Sequence, residues 1–146
     1  MAQLRNTKVN GNLEVSGTLF ANGIVSMDLL WENASPTSSF GAQTISLDLQ
    51  QYTHVLIIYS AKYWNGSAES LGRKSETIEV GQTGVLSYGG MGSSGAYYTH
   101  NSIRAANTTT TEVVFGKNYT SVLNGAPGSD NANVIPTAIY GIKGIQ

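Results

Sequence analysis

The chain has 146 residues, with 8 Lys and Arg against 9 Asp and Glu and a net charge of −1. Charged residues make up 12% of it, against roughly 25% in an ordinary soluble domain, which excludes the clustered cations that displace counterions from nucleic-acid phosphates. The lack of Cys excludes disulfides and thiolate chemistry, and the longest apolar run, Val55 to Tyr59, is far shorter than the roughly 20 residues of a membrane helix.

In place of charge the chain carries 17 Gly, 16 Ser, 14 Thr and 12 Asn. Asn, Gly and Ser form turns and Thr favours strands, so the composition leans to an all-β chain wetted by amides and hydroxyls rather than ions. A hydrophobic content of 40% supports one modest core. Met1 to Asn6 lacks an apolar signal core, so no secretion leader is expected.

Val9 to Ser26 divides into three hexads, Val-Asn-Gly-Asn-Leu-Glu, Val-Ser-Gly-Thr-Leu-Phe and Ala-Asn-Gly-Ile-Val-Ser. Gly11, Gly17 and Gly23 each follow a turn-prone Asn or Ser, and Leu13, Leu19 and Val25 share the fifth position. So short a strand-turn repeat cannot bury its apolar side alone, because repeat architectures need stacked neighbours. The missing neighbours are then other copies of the chain, wound about a three-fold axis with Leu13, Leu19 and Val25 inside. Residues 1–27 are therefore expected to form a trimerising and attaching β-stalk, with a plain hairpin or arm as the competing reading.

From residue 28 to 146 longer strand patterns begin. Ile45, Leu47 and Leu49 alternate with polar residues, the period of a strand with one buried face. His54 to Ser60 is almost wholly apolar, which predicts a central strand covered on both faces. Further strands are expected over Leu29–Glu32, Glu76–Val80, Val85–Tyr88, Ala96–Ala105, Thr110–Phe115 and Asn133–Ile142, with turns at Asn65-Gly66-Ser67, Gly81 to Gly84, Gly89 to Gly95 and Asn124 to Asn131. Ala61 to Arg73 has room for one helical turn, and Pro36, Pro127 and Pro136 fit loops or strand ends. Seven or eight strands at this spacing predict an antiparallel β-sandwich or jelly-roll head.

No catalytic, cofactor or metal constellation emerges. His54 and His100 have no partner ligand at suitable spacing. The acidic residues Asp48, Glu76, Glu79 and Glu112 read as solvated rather than as a glycosidase pair, and Asp130 lacks the further carboxylates of a calcium loop. Gly92-Ser93-Ser94-Gly95 is too short for a nucleophile elbow, and the other glycine clusters lack the Lys-Ser/Thr of a phosphate loop. Aromatics are more informative. Tyr63 and Trp64 precede Asn65-Gly66, and Tyr97 and Tyr98 follow a glycine-rich loop. Rings beside amides and hydroxyls stack on and hydrogen-bond to a sugar, so Tyr63, Trp64, Asn65, Tyr97 and Tyr98 are candidate glycan or receptor contacts. Burial in a core or subunit interface is the alternative role for these rings.

Leu4 to Leu19 resembles the N-terminal segments of bacteriophage tail-fibre and minor virion structural proteins. Leu30 to Asn33, Phe40 to Leu49 and Ile135 to Lys143 are similar to a β-rich module of phage structural proteins from Gram-positive hosts. The resemblance implies a non-enzymatic homotrimeric fibre or spike on the phage particle, joined to other virion proteins by its N-terminal segment, with residues 28–146 as its head; the loop aromatics and the amide and hydroxyl surface add bacterial surface polysaccharide as the expected contact of that head. A capsid decoration or head-fibre protein of purely architectural role is the alternative. Neither reading calls for a cofactor, metal, nucleic acid or membrane.

Overall fold

The computed structural model describes residues 26–64, 69–93, 97–122, 128–130 and 133–144. They form nine strands: β1 (Ser26–Glu32), β2 (Gln43–Ser46), β3 (His54–Trp64), β4 (Glu69–Glu79), β5 (Thr83–Ser93), β6 (Tyr97–Thr108), β7 (Glu112–Val122), β8 (Gly128–Asp130) and β9 (Val134–Lys143). One antiparallel sheet runs β1-β9-β3-β4; the other runs β2-β7-β6-β5, with β8 also paired to β7. The two sheets pack face to face, so the described residues are an antiparallel β-sandwich. Residues 1–25, including Leu13, Leu19 and Val25, lie outside the described residues, and β1 starts two residues before the expected boundary of the head.

Between the sheets, Val55, Ile57 and Tyr59 of β3 meet Leu86, Ala106, Val113 and Phe115 of the opposite sheet, with Val134, Ile135 and Ile139 of β9 beside them. Each buried aliphatic or aromatic side chain contributes about 1.5–3 kcal/mol of apolar transfer. The connection from β1 to β2 closes one side. Phe40 lies edge-on to both Trp31 and Phe115, with ring centroids 6.0 and 5.3 Å away, the arrangement that aromatic quadrupoles favour.

Polar groups also link the sheets. The Tyr59 hydroxyl donates to the Ser87 carbonyl at 3.0 Å and accepts from the Ser87 N–H at 3.3 Å. Ser87 lies on β5, an edge strand, so one phenol satisfies a residue with no strand neighbour on that side. Burial raises the Tyr59 phenol above its ordinary pKa, keeping it protonated as a donor. The turn from β4 to β5 has Gly81 at φ 92°, the left-handed region that glycine adopts without a Cβ clash. The Thr108 hydroxyl holds this turn, accepting from Gly81 and Gln82 N–H at 3.0 and 3.2 Å and lying 2.9 Å from the Glu79 carbonyl.

Several strands run longer than their sequence pattern predicts. β3 and β4 extend through most of Ala61 to Arg73, where a helical turn had room, and β5 runs through the glycines to Ser93. Hairpin pairing explains this: each added residue of β5 has a partner in β6, from Gly89↔Asn101 to Ser93↔Tyr97, which outweighs glycine's weak strand preference. Conversely, β2 stops at Ser46, although Leu49 is fully buried. Pro136 lies within β9 rather than at its end, at the irregularity where the register with β3 shifts, a place where a missing N–H breaks no ladder bond. β3 is central, yet only one face is sealed: Leu56 and Ile58, which alternate with the buried residues, are half-buried.

Candidate functional site

Strand direction sorts the molecule into two ends. At one end His54 of β3 pairs with Glu79 of β4 and Ile142 of β9, and Ser26 of β1 pairs with Lys143. At the other end Trp64 pairs with Glu69, and Ala61 with Val134. The facing sheet is aligned with this one. The turn at Gly81 joins β4 to β5 at the first end, and Lys74 Nζ lies 5.0 Å above the Tyr88 ring further along. The β5–β6 hairpin, with Ser93 opposite Tyr97 and Gly92 opposite Tyr98, therefore closes at the same end as the β3–β4 hairpin. β7 also finishes there, His100 pairing with Val122. About 33 Å of extended strand, ten steps of roughly 3.3 Å, separates His54 from Trp64.

The fold thus brings four of the five candidate contact residues, Tyr63, Trp64, Tyr97 and Tyr98, to one end on two hairpins from opposite sheets. Asn65 lies outside the described residues. Sequence order alone could not unite these pairs, because they lie more than 30 positions apart; the short β4–β5 turn is what makes the two hairpins neighbours.

Towards this end the interior becomes polar, a feature that sequence reasoning missed. Ser102, Arg104, Asn118 and Thr120 are buried. The Thr120 hydroxyl accepts from the amides of Asn118 and Asn133, at 3.2 and 2.9 Å, and shares a hydrogen bond with the Ser102 hydroxyl 3.0 Å away. Below them the Arg104 guanidinium donates to the carbonyls of Val134 at 2.8 Å, Phe40 at 2.7 Å and Gly116, and lies over the Phe40 ring. Such directional bonds fix the strands beneath the hairpin ends in one register. The sequence signal was available in weak form: Ser102, Arg104 and Ala106 share one parity, as do Asn118 and Thr120.

The opposite end carries an ion pair. Lys143 Nζ lies 2.8 Å from the Asp28 carboxylate, and the Tyr52 hydroxyl donates to the same group at 2.9 Å. The Lys143 ammonium first, and then the Tyr52 hydroxyl, hold the Asp28 carboxyl below its ordinary pKa of 3.8. Asp28 in turn raises Lys143 above 10.5. A lowered carboxyl pKa gives stability that is present above pH 3.8 and lost as pH falls through the folded value; the raised Lys143 gives stability that is present below pH 10.5 and lost as pH rises through its folded value. Asp28→Asn is therefore expected to melt below the parent at pH 7, with the gap closing as the pH falls below 3.8. Thermal midpoints from pH 2 to 7 read this directly, and a gap unchanged at pH 2 would refute it.

Among the described residues no three His, Asp or Glu side chains gather as a metal site would need. Asp48 and Glu79 are exposed and Glu76 and Glu112 half-buried; Glu76 and Glu79 lie on β4, Glu112 begins β7, and Asp48 follows β2. No family model, curated protein or solved structure matches the chain.

Proposed function

We propose that this chain is a non-enzymatic structural component of a bacteriophage particle, a homotrimeric fibre or spike whose head contacts saccharides of the bacterial surface. The observation that carries the reading is the separation of the two ends. The hexad-bearing segment joins the sandwich at Ser26, and the hairpins bearing Tyr63, Trp64, Tyr97 and Tyr98 close at the far end. An attached fibre needs this polarity, with its anchor at one end and its contact surface at the other. The neutral Asn, Ser, Thr and Gly surface suits sugar hydroxyls, and three equivalent weak sites gain about 10²–10⁴ in avidity when a polymer engages them together.

The test is binding of the full-length protein to a panel of purified Gram-positive surface polysaccharides, together with its mass in solution. A trimer that binds one of them, and loses at least tenfold in apparent affinity on Trp64→Ala or Tyr97→Ala with an unchanged circular dichroism spectrum, is the expected result. A folded protein that binds none of them, or binds regardless of all four aromatics, overturns the contact assignment and favours the architectural role.

A further inference from the structure

The outer face of the β1-β9-β3 sheet carries an apolar surface that the head itself does not cover. Met27 and Leu29 of β1 are 55% and 54% exposed. Met27 pairs with Ile142 and Leu29 with Tyr140, and across β9 Tyr140 pairs with Leu56. Ile142, Tyr140, Leu56 and the neighbouring Ile58 are half-buried. Six apolar residues thus lie side by side on three adjacent strands. On β4 the face turns polar, with Ser75, Thr77 and Glu79 exposed.

The exposure is greatest on β1, the strand into which the hexad segment leads. Val25 holds the fifth position of the third hexad, and Val25, Met27 and Leu29 have the same parity. Met27 and Leu29 lie along one side of β1. Leu29 is only four residues beyond Val25 in the sequence, a reach of at most about 14 Å of chain. Any axis shared by the hexads of several chains therefore passes close to this edge of the head.

We infer that the outer face of the β1-β9-β3 sheet is the contact between heads in the oligomer, and that its occupant is a second copy of this chain, with Met27 and Leu29 nearest the shared axis. The inference rests on the trimeric reading above and adds the surface that the heads use. Contiguous apolar surface of this kind marks association sites in soluble proteins. Copies seated here bury the outward half of the Val55-Leu56-Ile57-Ile58-Tyr59 strand, which accounts for an apolar run that the isolated head seals on one side only.

The chain has no Cys, so a single introduced thiol gives a unique label. Full-length Met27→Cys and Leu29→Cys, each labelled with pyrene maleimide, are expected to show excimer emission at concentrations where the protein sediments as a trimer. Ile103→Cys, on the exposed outer face of the other sheet, is expected to show none. Met27→Asp combined with Leu29→Asp should raise the concentration for half-dissociation at least tenfold. A wild-type monomer would overturn the trimeric reading and this inference with it. A wild-type trimer without excimer at positions 27 and 29, or with excimer at position 103 instead, would overturn this inference alone, as would a double Asp variant that dissociates like the parent.

Discussion

Arg104→Leu is expected to cost about 3–5 kcal/mol of stability, a large part of the roughly 5–15 kcal/mol that holds a typical domain together. The side chain is fully buried, and it ties three separate parts of the fold. Its Nε serves Val134 of the opposite sheet, and its terminal nitrogens serve Gly116 in the adjoining β7 and Phe40 in the connection between β1 and β2. Leucine fills much of the volume but leaves three acceptors without this donor, and each buried group left unsatisfied costs about 1–3 kcal/mol. Arg104→Lys keeps the charge, yet a single ammonium cannot reproduce a planar fork aimed in three directions; it should recover only part of the loss. Chemical denaturation of the two variants beside the parent measures both. A loss below about 1 kcal/mol for Arg104→Leu would show that these carbonyls find other partners.

Arg104 also marks where the sequence stops being legible. Along β3 the alternation is conventional: Val55, Ile57 and Tyr59 are buried, and the strand could be read from its apolar run. In β6 and the second half of β7 the pattern is inverted. Ile103 is 45% exposed beside buried Arg104, and Tyr119 is 54% exposed beside buried Asn118. A rule that puts apolar residues inside would turn both strands over. It fails because its premise, that a polar side chain loses its hydrogen bonds on burial, does not hold where carbonyls and hydroxyls from three strands converge. That convergence is tertiary and has no local signature.

The candidate contact residues were legible in a different sense. Their chemistry, rings beside turn amides, is local and could be read from Tyr63-Trp64-Asn65 and Tyr97-Tyr98. Their meeting at one end depends on β4 and β5 belonging to opposite sheets, which strand periodicity does not encode. The apolar run of β3 misled in the same way. Five consecutive apolar residues predict cover on both faces, and the sandwich supplies only one layer.

Gly141→Ala is expected to cost about 2 kcal/mol, against the usual gain of about 0.4–1 kcal/mol when a compatible glycine becomes alanine. A Cβ at this position in β9 would lie 2.5–2.7 Å from three atoms of the Tyr52 ring, closer than real Cβ contacts come. Flexible side chains can swing away from such a contact, but this ring is held from both sides. Its hydroxyl donates to Asp28 at 2.9 Å, its backbone N–H bonds to the Leu49 carbonyl at 3.0 Å, and Lys143 Nζ sits 5.5 Å from its centroid. The clash should therefore be relieved by moving β9 or by breaking the Asp28 contact, and either disturbs the end of the sandwich at which β1 begins. Removing the ring separates strain from backbone effects. Tyr52→Ala alone should lose about 3 kcal/mol or more, as aromatic truncations do. Adding Gly141→Ala to that background should then be neutral or stabilising, since only the loss of unfolded-state freedom remains. The pair would show a coupling of about 2 kcal/mol, whereas strictly additive losses would mean that Gly141 is required by its own backbone and not by the ring packed against it.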